Sequence, residues 1–360
     1  MRGVLPGPIG VSFDSRWIRA AQLRRLGAGW EAVALLRLER RGEGLGRVLG
    51  AADGAILGGA LRRQGFVGGR VVLAGASPAV PLMGLDLPPR SSGAPLAQIA
   101  AMEVARAHRL AEGTFALATW DLPEGQGRAG RGEQTSVMAA FCPHAVGETL
   151  CASLDGTGLG VVGLEPEARA AARALGPLMA GAGSVALVRS GWDELEVCLV
   201  GAGRTLVFHR SIPEQGLSAL YRAIGQRTGL RREVVDVVLE GPGEAAREER
   251  RSGEMTRREV ARCVGEHVHS SAAEVQRSVS YAAGRLGLGE VRGVLLDGEG
   301  ASLPGLGEAI GGRLAASWRV AVAGSLVRIG PGLARLASCP ALAGALGAAT
   351  WGLAEGREAA

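Results

Sequence analysis

A chain of 360 residues with 47% hydrophobic content can bury one large domain or two to three subdomains. All 40 of its basic residues are arginine, and without a lysine there is neither a Walker A phosphate loop nor a Schiff base. Net charge is +5, the arginines are spread along the chain, and 4% aromatic content leaves few stacking platforms, so a nucleic-acid surface is not expected.

In chain order, Ile9 to Phe13 reads as a strand, Asp14-Ser15 as a turn, and Trp17 to Leu23 as the returning strand of a hairpin. Trp30 to Arg40 reads as a third strand, Gly50 to Gln64 as a helix and Val71 to Gly75 as a buried strand. Pro78 to Pro89 is extended and proline-bounded. Leu96 to Leu110 is helical by its apolar spacing. Phe115 to Leu122 and Thr135 to Phe141 pair across a basic glycine-rich loop, Gly125 to Gly132, which reads as a solvated hairpin loop. A helix at His144 to Leu154, a strand at Gly158 to Glu165 and a long helix at Pro166 to Met179 follow. A second strand–turn–strand spans Val185 to Val200, with Gly191 in its turn, and Leu206 to Pro213 is another strand. Leu217 to Thr228 and Arg232 to Leu239 are helices, Gly241 to Arg258 a charged exposed link, and Val260 to Arg285 a long helix stopped by Gly287 and Gly289. Val291 to Leu296 is a buried strand that runs into a glycine turn, Asp297 to Ala301, with Pro304 ahead of the next helix. Trp318 to Val322 is the last strand.

Strand, glycine turn, helix is a geometry in which backbone N–H groups can approach a phosphate closely. Five cysteines without a CxxC pair read as free thiols in a reducing compartment, and the spacing of Cys263, His267 and His269 does not put all three on one helix face, so no zinc site is expected. No signal peptide is expected at the start. Leu336 to Ala354 carries no charge but is Ala- and Gly-rich around Pro340, which suits a buried terminal helix better than a membrane span. The residues alone give an α/β chain of two similar halves.

Several strings are more specific. Glu274, Arg277, Ser278 and Tyr281, then Gly298, Gly300, Ala301, Pro304, Gly305 and Leu306, resemble the C-terminal pattern of PilM-type proteins, the actin-like cytoplasmic components of type IV pilus machines; Glu299 stands where that family has a glycine. Ile9, Gly10, Ser15, Ala20, Gln22 and Leu23 match its first hairpin, and Phe208, Arg210, Ile212 and Pro213 match a later strand. Departures fall on chemistry. The metal-side aspartate of the first loop is Ser12, the turn glycine is Asp14, and the aspartate of the second loop is Arg189, followed by Gly191, Trp192, Asp193 and Glu194.

The resemblance implies an actin-like, ribonuclease H-like α/β fold with a small inserted α+β module. It implies a first lobe over residues 1–76 and 143–183, the insertion over 77–142, a second lobe over 184–345 and a tail over 346–360. ATP with magnesium is the implied cofactor, and Ser12, Asp14, Ser15, Gly191, Gly298 and Gly300 are the residues implied to face it. Phosphoryl transfer needs carboxylates to place the metal and a cradle that is not negative. Ser12 and Arg189 remove both expected carboxylates, and Asp14 puts charge where phosphates would lie. The leading expectation is therefore a scaffold with a degenerate nucleotide site, peripheral to the inner membrane of a type IV pilus or type II secretion assembly, with no transmembrane segment of its own. It would grip the cytoplasmic N-terminal tail of a single-pass, PilN-like partner. The alternative is an active ATPase or sugar-kinase-like phosphotransferase on the same fold. A division protein of the FtsA kind would want a C-terminal amphipathic helix, which Gly352 to Ala360 does not offer.

Overall fold

The computed structural model describes residues 6–40, 46–122, 134–179, 183–201, 205–239 and 254–352. The chain begins with β1 (Ile9–Phe13), β2 (Trp17–Leu26) and β3 (Gly29–Glu39), then α1 (Ala51–Arg63) and β4 (Arg70–Gly75). A small unit follows, made of β5 (Leu82–Leu87), α2 (Leu96–His108), β6 (Phe115–Asp121) and β7 (Thr135–Pro143). The chain then forms α3 (His144–Ala152), β8 (Gly160–Pro166) and α4 (Glu167–Leu175). The second half comprises β9 (Ser184–Ser190), β10 (Leu195–Val200), β11 (Leu206–Ile212), α5 (Leu217–Thr228), α6 (Arg232–Leu239), α7 (Glu254–Leu286), β12 (Val291–Asp297), α8 (Leu306–Leu314) and β13 (Ser317–Val320). It closes with α9 (Ala323–Leu326), β14 (Arg328–Ile329) and α10 (Ala343–Ala348).

Two sheets share one topology. The first runs β14-β3-β2-β1-β4-β8 and the second β11-β10-β9-β12-β13. In each, three strands form an antiparallel meander, the fourth pairs parallel with the first, and the fifth lies parallel beside the fourth. The parallel central strands are buried on both faces, so β1 (IGVSF) and the core of β9 read as continuous apolar runs rather than alternating ones.

Helices complete five layers. Leu57, Leu61, Leu150 and Leu154 of α1, α3 and the turn after it pack on the outer face of the first sheet with Ile9, Val11 and Leu73. Val268, Val275, Val279 and Ile310 of α7 and α8 cover the outer face of the second with Ala186, Val188 and Leu195. Between the sheets lie α4 and α10. Ala168, Ala171 and Leu175 face Leu187 and Cys198 of the second sheet, while Ala170 and Ala348 face Val72 and Ala74 of the first. Small residues set this spacing: a Cβ on Gly10 would overlap the backbone of Ala345, and one on Gly347 the carbonyl of Ala170.

The chain's last described part departs from the expected division. Ala343–Ala348 is neither the end of the second lobe nor the start of a tail, because it is buried between the sheets and joined with Leu342 and Ala349 to Ala21, Leu23 and Leu35. An all-apolar Leu342–Ala349 stretch has no polar face to show solvent, so it goes where both sides are covered. β14 likewise returns to pair with β3. The expected link over 241–258 also ends early: α7 begins at Glu254, its first turns being charged and its apolar periodicity starting only at Val260. The basic loop over 125–132 and residues 353–360 lie outside the described residues. Among the described residues no helix is long and apolar enough to cross a membrane.

The small unit forms a three-stranded sheet, β5-β7-β6, with α2 on one face through Ala100, Val104 and Ala105. Although it is inserted between β4 and α3, it leans on the second sheet. Trp120 Nε1 donates to the Leu206 carbonyl at 3.1 Å, and Arg285 at the end of α7 bonds Asp86 at 3.0 Å.

Candidate functional site

The turns after β1 and β9 face each other across the junction of the two sheets. Asp14 shapes the first turn: Oδ1 accepts the backbone N–H of Arg16 at 2.8 Å and of Trp17 at 2.7 Å, and Oδ2 takes Arg19 at 2.6 Å. Both oxygens are thus engaged within the hairpin, and neither is turned to a metal. Ser12 is fully buried on β1, and its hydroxyl has no hydrogen-bond partner among the described residues.

Carboxylates of the second half occupy the donors of the first. Ser15 N–H donates to Asp193 Oδ2 at 2.8 Å and its hydroxyl donates to Oδ1 of the same carboxylate. Glu299 takes Arg19 at 3.0 Å and Arg37 at 2.8 Å. Arg47 reaches across to Glu194 at 2.7 Å and to the Asp193 carbonyl at 3.0 Å. Arg16, 5% exposed, reaches into the second half while its Nε keeps Glu39 of the first at 3.0 Å. Its guanidinium lies 4.3 Å from the centre of the Trp192 ring and pairs with Asp236 at 2.7 Å, while Tyr221 donates to the other oxygen of Asp236 at 2.7 Å. Charge-assisted hydrogen bonds of this kind are worth about 1.5–3 kcal/mol each when buried.

Behind the turns sits a buried charge cluster. Arg189 bonds Glu167 at 2.7 Å and lies 2.9 Å from Asp297 and 3.6 Å from Glu196, and His209 pairs with Glu196 at 3.0 Å. Burial pushes the Asp297 carboxyl up to about 6, with Glu167 adding repulsion and Arg189 opposing both. Glu194 is pushed up to about 7, by burial first and by the neighbouring Glu196 second, against the pull of Ser211 and Arg47. Glu167 is also raised by burial. For Glu196 burial acts upward too, but the His209 hydrogen bond and Arg189 outweigh it and hold that carboxyl low.

What remains open is a cavity of about 30 Å³, bounded by Asp14, Arg19, Arg47, Glu167, Arg189 and Asp193 among others. That is room for about two waters. Residues around it do not fit a magnesium nucleotide. Its carboxylates already face arginines or hydroxyl and amide donors of the chain, and around the cavity five carboxylates stand against three arginines.

All six residues expected to face a cofactor lie near this junction, with different surroundings. Asp14, Gly191 and Gly298 line the cavity, and Ser15 binds Asp193 beside it. Gly191 closes its turn by donating to the Glu194 carbonyl at 3.0 Å. Gly298, at φ 93°, packs on Ser190: a Cβ there would come 2.6 Å from the Ser190 carbonyl, and one on Gly300 would overlap the Ser190 hydroxyl. The close approach that these two glycines permit is between two loops of the protein. Arg16, Arg47, Glu167 and Glu196 escaped the sequence reading. None stands at a position that carries the resemblance, and each takes its role from a partner that folding brings to it. Glu299 carried a visible signal, a carboxylate between two glycines.

No protein-family model matches the sequence, and no curated protein matches it at significant similarity. Solved structures do. A chain of the PilM-PilN type IV pilus biogenesis complex superposes with a TM-score of 0.72 at 19% identity, covering 95% of this chain and 97% of that one. The ethanolamine utilization protein EutJ from Carboxydothermus hydrogenoformans superposes with a TM-score of 0.54 at 16% identity, covering 97% and 90%. With two sheets of one topology and a helix pair between them, the chain has the actin-like, two-lobed α/β fold with a small inserted module.

Proposed function

We propose that this protein is an actin-like scaffold of an inner-membrane pilus or secretion assembly. It takes the cytoplasmic N-terminal tail of a single-pass, PilN-like membrane partner and does not turn over nucleotide. The observation that carries the second half of this reading is Asp193 bound by the Ser15 amide and hydroxyl: a protein carboxylate stands where the fold would present donors to a phosphate. Support for the first half is the full-length fold shared with a chain of the PilM-PilN complex. An extended tail would add its backbone to a sheet edge and seat alternate side chains in pockets, with residues 77–142 flanking the groove.

Two measurements test the two halves separately. Thermal unfolding with millimolar Mg-ATP, and EDTA-ATP as control, is expected to show no shift. A ligand at 100 times its dissociation constant would add about 2.7 kcal/mol, so a magnesium-dependent rise overturns the non-nucleotide reading. Cross-linking in the native cell followed by purification is expected to retrieve a single-pass inner-membrane protein through its N-terminal tail. Retrieval of soluble proteins only, with pili and secretion intact after gene deletion, overturns the scaffold.

A further inference from the structure

The end of the first sheet that points away from the cleft is basic and set with exposed apolar side chains. Strand register gathers it there. Ile9 opens β1 opposite Gln22 and Val71, so Arg70 at the start of β4 lies at this end. β2 and β3 continue past β1 to Leu26 and Gly29, and their tip projects about 10 Å beyond it. α1 returns to the same end and finishes at Arg62 and Arg63. Val67 is fastened to β2, its N–H donating to Gln22 Oε1 at 2.9 Å and its carbonyl accepting Gln22 Nε2 at 2.7 Å. Arg62 reaches the Thr157 carbonyl at 3.1 Å just before β8, and Arg328 of β14 registers against Glu31.

Arg24, Arg25, Arg62, Arg63, Arg70 and Arg328 are all exposed. Among the described residues the carboxylates of this end are Glu31, which Arg24 holds at 2.6 Å, and Asp155. Six exposed arginines against two carboxylates leave this end with a local excess of positive charge. Leu26 and Val67 stand 41% and 50% exposed between the arginines, and Arg25 lies 5.0 Å over the ring of Trp30, its register partner one pair back from the tip of the hairpin.

We infer that this end of the first lobe binds an anionic lipid surface. The guanidinium forks suit headgroup phosphates, the projecting Leu26 enters the acyl boundary, and the amphipathic Trp30 sits at the level of the headgroups. Arginine excess alone would also fit an acidic protein; a projecting tip carrying an apolar side chain between arginines favours the bilayer. The inference rests on charge and shape and not on the scaffold reading, and its test needs no partner protein.

The test is sedimentation of the purified chain with phosphatidylcholine vesicles, with and without 30% phosphatidylglycerol, at low and high salt, about 50 and 300 mM. Binding is expected only to the anionic vesicles and only at low salt. Arginines near the surface contribute roughly fivefold each, so Arg63→Glu with Arg70→Glu is expected to lose more than about tenfold without a change in melting temperature. Arg222→Glu, an exposed arginine on α5 of the other lobe, is expected to leave binding within about twofold because its charge lies beyond a Debye length from this end. Quenching by brominated lipid is expected to diminish in Trp30→Phe. Equal binding to neutral vesicles, or an Arg222→Glu loss as large as that of the double variant, overturns the proposal. So does retention on a polyglutamate peptide with none on anionic vesicles, which would assign the surface to an acidic protein.

Discussion

Asp193 is held by a backbone amide and a hydroxyl, donors that would serve a phosphate oxygen equally well. Asp193→Ala is therefore expected to cost about 1–3 kcal/mol. Millimolar inorganic phosphate at constant ionic strength should return part of the lost melting temperature in the variant and nothing in the wild type. Glu194 carries a pH signature. Its carboxyl is raised from 4.5 to about 7 in the folded chain, so the folded state binds that proton more tightly than the unfolded one. The resulting penalty is absent below 4.5, accrues as pH rises, and is complete above about 7. Glu194→Gln removes it. Relative to wild type, the variant should be unchanged near pH 4 and more stable at pH 8, by up to roughly 3 kcal/mol in urea titrations. A variant less stable than wild type at pH 8 would mean that the Arg47 pair outweighs the burial of the charge.

Among elements, the α4–α10 layer depends on the absence of side chains. Gly10→Ala must displace the backbone of α10 at Ala345 and Ala349, whereas Gly84, on β5, has open space around its missing Cβ. The first substitution should cost at least about 1–3 kcal/mol, and Gly84→Ala should be neutral to slightly stabilising. Chemical denaturation of both variants checks this. The hairpins, the meanders and most helices were legible in the sequence because strands buried on both faces read as short apolar runs bounded by turn residues, and helices carry a period of three to four. Two short elements escaped, β14 and the four-residue α9, while α10 falls within the stretch expected to be a buried terminal helix. β14 is two residues long and has no period to read. α10 is apolar all round, and such a stretch says that it is buried without saying against what.

For the molecule as a whole, the lobes are clasped by the chain's own ion pairs, so closure should need no ligand. Small-angle scattering is expected to give a radius of gyration of about 21 Å with or without Mg-ATP. Arg16→Ala removes the guanidinium that sits among Trp192, Tyr221 and Asp236, and should cost roughly 2–3 kcal/mol while increasing that radius. An unchanged radius in Arg16→Ala combined with Glu299→Ala would place the hold between the lobes in α4 and α10 instead.

By itself the sequence determined the doubled strand–turn–strand order, the glycine turn after the last buried strand, and a serine and an arginine at positions 12 and 189. These are local features: each follows from residue types within one turn or one strand. Only the tertiary structure decided which side chains meet across the two turns. Ser15 and Asp193 are 178 residues apart, and Arg19 and Glu299 are 280 apart. No period or motif links such pairs. Their energetics depend on burial, which raises the cost of every unpaired charge and so fixes which arginine each carboxylate must find.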